Sequence, residues 1–236
     1  MAKFYELHPT NPQFRRIEAI RDALRRGAIM LYPTDTVYAI GCDLTAKSAV
    51  DRVRQIKQLS NDKPLTFLCP SLSNVAQYAH VTDANYRLLK SLVPGPYTFL
   101  LPATKLVPKV VMNPKRKTAG IRVPQSPVCQ ELLEALDNPI ISTSAHMPEL
   151  SAKGGRYRDS TYQVNPAELF DQLESVVDII VAIEDLALGN DEPRVLSSNP
   201  DYQVSTILDL TTPEPTVVRK GLGWAALRDW DLAESA

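Results

Sequence analysis

Ala28-Ile29-Met30-Leu31-Tyr32-Pro33-Thr34-Asp35-Thr36-Val37-Tyr38-Ala39-Ile40-Gly41 decides how this chain is read. Its first five residues form a short apolar run stopped by proline, the pattern of a buried strand. Directly upstream, Ile17, Ile20 and Leu24 recur at helical spacing between Asn11-Pro12 and Gly27. Asparagine ahead of the run, proline at its first position and glycine beyond its end predict a helix with Asn11 as N-cap. A buried strand that runs straight into hydroxyls and a carboxylate matches α/β sheets, which bind ligands at strand ends. Asp35 equally reads as a turn former, with Thr34 and Thr36 capping the turn.

The alternation continues downstream. Apolar spacing predicts helices near 46–59, 71–79, 83–92, 127–136 and 166–175. Strands are predicted at 65–69, 97–101, 118–123, 140–143, 177–181, 206–210 and 216–219. Strands alternating with helices give an α/β fold, a mixed sheet with helices packed on it. With 19 prolines against 9 glycines, many loops are held by proline rather than left loose. The polar stretches 151–165 and 189–203 read as long surface loops. No linker divides the chain, so the reading is one domain.

Composition excludes several classes. The chain has 236 residues, 44% hydrophobic and 22% charged, which is ordinary for a globular protein. Cys42, Cys69 and Cys129 lie far apart without a C-x-x-C, against a disulfide framework or a cysteine zinc site. Only His8, His80 and His146 are present, with no acidic cluster around them, which argues against a histidine metal site. Residues 1–11 are too polar for a signal peptide, and no apolar run approaches a membrane span of about 18–20 residues. The expectation is a cytoplasmic protein with no membrane partner.

A net charge of −1 conceals an asymmetry. Residues 1–130 carry 19 Lys and Arg against 8 Asp and Glu, and the remainder carries 7 against 19. A first half at +11 points to an anionic partner, nucleotide or RNA. The same numbers fit two halves that attract each other within one fold.

Three further segments carry chemistry. Lys57-Gln-Leu-Ser-Asn-Asp-Lys63-Pro-Leu65 offers two lysines as point charges for a phosphate, although lysine at a helix end also favours the helix dipole. In Lys115-Arg-Lys-Thr118-Ala-Gly-Ile-Arg122-Val-Pro124, Arg122 leaves a strand on the face opposite Ile121 and Val123. Burying that charge requires an anion, from a ligand or from a structural Asp. Ile140-Ile-Ser142-Thr-Ser144-Ala-His146 is a hydroxyl-rich strand end, with Ser142 and Ser144 on one face. His146 is too near these serines, and without an elbow motif, to make a serine hydrolase a good reading.

Taken in order, P-T-D-T-x-Y, K-x-x-x-x-x-K-P-L, G-I-R-V-P and S-T-S-A resemble the YrdC/YciO-type family. Ser205-Thr-Ile-Leu-Asp209 and Val218-Arg219-Lys-Gly221 extend the resemblance, which covers roughly residues 12–222. That span defines a single YrdC-like domain, leaving 1–11 and 223–236 as terminal extensions. The family includes threonylcarbamoyl-AMP synthases, nucleotidyltransferases that join L-threonine, bicarbonate and ATP with Mg²⁺ for tRNA adenosine modification. The resemblance implies a twisted α/β sheet with a basic concave cleft, also linked to double-stranded RNA. It places Thr34, Thr36, Arg122, Ser142 and Ser205 around threonine, and Lys57, Thr118, Ser144 and Arg219 around ATP. Synthases carry K-x-R and S-x-N, where this chain has Lys57-Gln-Leu59 and Ser144-Ala-His146. The pattern is closest to the YciO branch. Two readings stay open: a nucleotide-binding enzyme related to the synthase, and a non-catalytic protein that binds RNA or nucleotide.

Overall fold

The computed structural model describes residues 1–59, 65–145, 166–184 and 204–234, apart from 229 and 231. In chain order these form β1 (Lys3–Leu7), α1 (Phe14–Arg25), β2 (Met30–Tyr32), β3 (Ala39–Asp43), α2 (Lys47–Ile56) and β4 (Thr66–Leu68). Then come α3 (Leu72–Tyr78), α4 (Asp83–Leu92), β5 (Tyr97–Pro102), β6 (Thr118–Arg122), α5 (Pro127–Leu136) and β7 (Ile140–Ser144). The last elements are α6 (Pro166–Leu173), β8 (Ile179–Ile183), β9 (Thr206–Asp209), β10 (Thr216–Arg219) and β11 (Ala233–Glu234). A short 3-10 helix, Trp224–Leu227, precedes β11.

All eleven of these strands join one sheet in the order β1-β8-β2-β3-β7-β4-β6-β5-β9-β10-β11. It is mixed: β1 and β2 pair parallel with β8, whereas β2–β3, β3–β7 and β4–β7 are antiparallel. This is the α/β architecture the alternation predicts. Among the described residues no helix is long and apolar enough to cross a membrane.

The two faces of the sheet are treated differently, and that difference makes the site. On one face α2, α4 and α6 pack Val50, Val53, Leu89, Leu169 and Leu173 over Ile40, Phe67, Phe99 and Ile121. On the other, α1 and α5 bury Ile17, Ile20, Leu24, Leu132 and Leu133 against Met30, Leu68 and Ile140. These two helices cover only part of that face. The uncovered part carries Thr66 on β4, Thr98 on β5, Gly120 on β6, and Ser142 and Ser144 on β7. Register confirms that they share a side, since Thr66 opposes both Ser142 and Gly120. Among the described residues, Thr66, Thr98, Ser142 and Ser144 line a cleft here rather than a helix interface.

Local details differ from the sequence expectation. α1 begins at Phe14 with Gln13 in the cap position, so Asn11 is not its N-cap. The His8 ring accepts the Asn11 backbone N–H instead, at 3.1 Å. Three strands escape the pattern. β1 and β11 lie outside the 12–222 span yet add to the same sheet. β3 is a central strand with Gly41 in it, and glycine inside a strand reads as a break. There a Cβ would sit 2.8 Å from the Tyr32 ring and 2.4 Å from the Ile141 carbonyl oxygen, so the close approach of the chains requires glycine.

The charge asymmetry is partly internal. Arg16–Glu184, Arg52–Asp178 and Arg116–Asp209 each join a cation of the first half to an acid of the second. These pairs are largely exposed on at least one side, so each stabilises by about 0–1 kcal/mol at most.

Candidate functional site

The cleft narrows to a cavity of about 190 Å³. Thr34, Thr36, Arg122, Ser142, Ser144, Ser205 and Arg219 all line it. The β2–β3 connection supplies the first two, and the ends of β6, β7 and β10 supply Arg122, Ser144 and Arg219. Residues more than 180 positions apart in sequence thus meet at one point. Among the described lining residues the charged groups are both cationic, Arg122 and Arg219.

Two expected members lie elsewhere. Thr118 opens β6, opposite Pro102 on β5, at the strand end away from Arg122, and does not line the cavity. A strand rises about 3.3 Å per residue, so four residues carry Thr118 well away. Lys57 caps the C-terminus of α2, also outside the cavity lining. Lys63 and His146 lie outside the described residues. Thr66, Thr98 and Thr143 line the cavity without having been singled out from the sequence. Isolated threonines in strand sequences carry no signal of their own, and only register aligns Thr66 and Thr98 with Ser142.

Arg122 finds a protein partner. Its Nη2 donates to Asp35 Oδ1 at 2.6 Å, Nη1 to Thr36 Oγ1 at 2.8 Å and Nε to the Gly95 carbonyl at 3.4 Å. The sequence left open whether a ligand or a structural Asp balances this charge. Asp35 does so, and it is more than a turn former.

Hydrogen-bond bookkeeping then separates hydroxyls that face a ligand from those already committed. Thr34 Oγ1 donates to the Val37 carbonyl at 2.7 Å and accepts the Thr36 N–H at 3.1 Å. In its 3.0 Å contact with Thr36 Oγ1, the proton therefore comes from Thr36. Neither threonine has a hydroxyl proton left for a ligand. Both instead brace Arg122. Ser142 is different: buried Tyr32 donates to its Oγ at 2.9 Å, which leaves the serine proton free to donate. Ser205 Oγ contacts Thr98 Oγ1 at 2.8 Å and receives Arg219 Nη2 at 3.2 Å. One shared contact consumes one proton of that pair and leaves one. Arg219 is fixed by the Ser205 carbonyl, at 3.0 Å from Nε and 2.8 Å from Nη2.

Leu59 also lines the cavity. α2 ends three residues earlier, and Gln58 adopts φ 48°. The Leu59 N–H then returns to the Arg54 carbonyl at 3.0 Å, the wrapped ending that turns a chain off its helix axis. The sequence runs the helix through Leu59, and the side chain does pack against the core that α2 also covers. The turn also carries it to the cavity wall beside Leu65.

Lys57 is only 8% exposed, and burial lowers its ammonium from 10.5 to about 8. The unfolded chain keeps the ordinary value, so between those limits the unfolded state binds more protons. Stability is therefore expected to rise with pH from about 8 to 10.5. Urea titrations across this range check it, and Lys57→Met should flatten the rise. An equal slope in that variant would show that Lys57 is not the buried cation. Cys42, Cys69 and Cys129 are all buried, their thiols pushed up to about 12 by desolvation, which leaves them unreactive. Among the described residues no group of three His, Cys, Asp or Glu is placed to hold a metal ion.

Comparison with known proteins agrees with this geometry. The family model for Sua5, YciO and YrdC proteins, described as telomere recombination, matches residues 22–221. The uncharacterized protein YciO of Escherichia coli (strain K12) is 39% identical over 223 residues, 94% of this chain and 97% of its own. The crystal structure of Escherichia coli YciO superimposes with a TM-score of 0.78, covering 94% of this chain and 97% of that one. A threonylcarbamoyl-AMP synthase of Vibrio vulnificus is 29% identical over 168 residues, 70% of this chain and 84% of its own. The crystal structure of P. abyssi Sua5 complexed with L-threonine shares the fold at a TM-score of 0.76 and 22% identity, covering 98% of this chain and 62% of that one. By the family match and by its identity to YciO over nearly the whole length, the chain belongs to the Sua5/YciO/YrdC family.

Proposed function

We propose that this protein is a nucleotidyltransferase-like member of its family, acting in the cytoplasm, which binds an amino acid in the cavity and a nucleotide across its mouth. The observation that carries this reading is the convergence of Arg122, Arg219 and the Ser142 hydroxyl proton on one cavity with no acid among its described lining residues. Drug-sized ligands fill about 300–1,000 Å³. At about 190 Å³ the cavity suits an amino-acid-sized molecule, and ATP has to lie outside it, toward Ser144 and Arg219. Mg²⁺ would arrive on the triphosphate, because the described side chains form no cage for it. The L-threonine complex of P. abyssi Sua5 and the Vibrio synthase favour L-threonine as the amino acid.

The chemistry asked of the protein is modest. The neutral threonine amine attacks the carbon of bicarbonate, whose hydroxyl leaves as water to give the carbamate, and a carbamate oxygen then attacks the α-phosphate of ATP as pyrophosphate leaves. Holding the reactants in line and neutralising phosphate charge suffice, with no protein nucleophile. Ser142 and Arg122 orient the amino acid, and Arg219 meets anionic charge at the rim. Transfer of the product toward tRNA adenosine modification completes the reading.

Pyrophosphate release from ATP, with L-threonine and bicarbonate present or omitted, tests it. Release that requires both is the expected result. Leu59 stands on the cavity wall where synthases carry arginine, so Leu59→Arg is expected to raise the rate severalfold by adding a phosphate contact. The double change with His146→Asn should raise it further, because the two positions act on one ligand. Absence of threonine-dependent release, together with RNA binding whose log–log salt slope is steeper than about −1, would establish the non-catalytic RNA reading instead.

A further inference from the structure

The Asp35–Arg122 pair is built in an unusual way for a structural ion pair. Both side chains are 7% exposed, and their contact is 2.6 Å between Oδ1 and Nη2 alone. Asp35 Oδ2 is buried and makes no hydrogen bond. Buried polar atoms are nearly always satisfied, and a carboxylate that merely neutralises arginine gains most by taking both terminal nitrogens in a fork. Here the fork is declined. Each of the three guanidinium nitrogens is held once, by a different group: Gly95 carbonyl, Thr36 hydroxyl and Asp35 carboxylate. One N–H on each terminal nitrogen stays unspent, and Arg122 lines the cavity.

We propose that Asp35 is a positioning residue, which holds Arg122 by one oxygen so that the two unspent N–H groups form a rigid receptor for a ligand carboxylate. The inference rests on the amino-acid reading of the cavity and names the residue behind its specificity. The orphaned Oδ2 is the cost of this arrangement. It persists because the one-oxygen contact leaves both terminal nitrogens available. Thr34 belongs to the same support, since its lone pairs and proton are what orient the Thr36 hydroxyl toward Nη1.

Two measurements on the full-length protein decide the matter. The first needs no ligand. ¹⁵N spectra of the arginine side chains should show Arg122, assigned by loss of its signal in Arg122→Lys, as a resolved and slowly exchanging guanidinium. In Asp35→Asn, which keeps the shape and removes the charge, that signal should collapse toward the averaged position of free arginines, and Asp35→Glu should recover it in part. An unchanged Arg122 signal in folded Asp35→Asn overturns the proposal.

The second is calorimetric titration with L-threonine and L-threonine amide. The parent is expected to prefer the acid over the amide by at least tenfold, and Asp35→Asn to lose that preference while its affinity for the amide is unchanged. A parent that binds neither compound refutes the amino-acid reading, while the spectra still decide whether Asp35 positions Arg122. A variant that weakens acid and amide alike marks Asp35 as structural only, and overturns the proposal.

Discussion

Arg122→Ala is expected to lower stability by about 3–5 kcal/mol as well as to abolish binding of L-threonine. Removing one member of a buried ion pair leaves the other as an uncompensated charge, and that penalty dominates. Asp35, already with one oxygen unsatisfied, would then have neither satisfied. In a chain of this length the loss corresponds to a melting temperature lower by roughly 10 °C. From the sequence alone one expects the fold to survive this change with only binding lost, because Arg122 can be read as waiting for its ligand. The tertiary structure revises that expectation by supplying Asp35. The double variant Arg122→Met with Asp35→Leu separates the two effects. Replacing a buried pair by apolar groups of similar volume is often neutral, so most stability should return while L-threonine binding stays lost. Urea unfolding and titration of both variants provide the check. If Arg122→Ala unfolds at the parent's midpoint, the pair is not buried in solution as described.

Gly41→Ala is expected to cost about 3 kcal/mol, at the upper end of what overpacking does to a close-packed interior. Its added methyl would stand 2.4 Å from the Ile141 carbonyl oxygen, a backbone atom in a central strand that cannot swing aside. It would also press on the Tyr32 ring at 2.8 Å. That second contact reaches the site, because Tyr32 crosses Gly41 to place its hydroxyl on Ser142. A displaced ring leaves the Ser142 proton free to turn away from the cavity. Folded Gly41→Ala should therefore also bind L-threonine several times more weakly. A parent-like urea midpoint would mean that β3 and β7 separate at little cost, contrary to the packing described.

Much of the sheet was legible before any coordinates, because burial writes itself into local pattern. The apolar runs at β2, β6 and β7 and the helical spacing in α1 are periodic, and a period needs no knowledge of what lies across the interface. The motifs were legible for a similar reason: residues that must stand together at a strand end are close in sequence as well. What escaped was whatever depends on a neighbour from elsewhere in the chain. β3 was hidden because its glycine is required by Tyr32 and Ile141, not by a turn. β1 was hidden because an edge strand is recognised only by its partner, β8, some 170 residues away.

The candidate site divides along the same line. The family resemblance placed Thr34, Thr36, Arg122, Ser142 and Ser205 in one group, and the fold brings these to one cavity. Their separate tasks came only from three dimensions. A hydroxyl can donate one proton, and whether it is already committed depends on atoms that no local pattern reveals. Thr34 and Thr36 thus became braces for Arg122, and Ser142 kept its proton for a ligand. Leu59 packs against the core and also reaches the cavity wall, beyond the point where a residue of positive φ ends the helix. Sequence determined which side chains are buried and which chemistry they bring; tertiary structure decided which of their hydrogen bonds were still free, because that is a property of pairs.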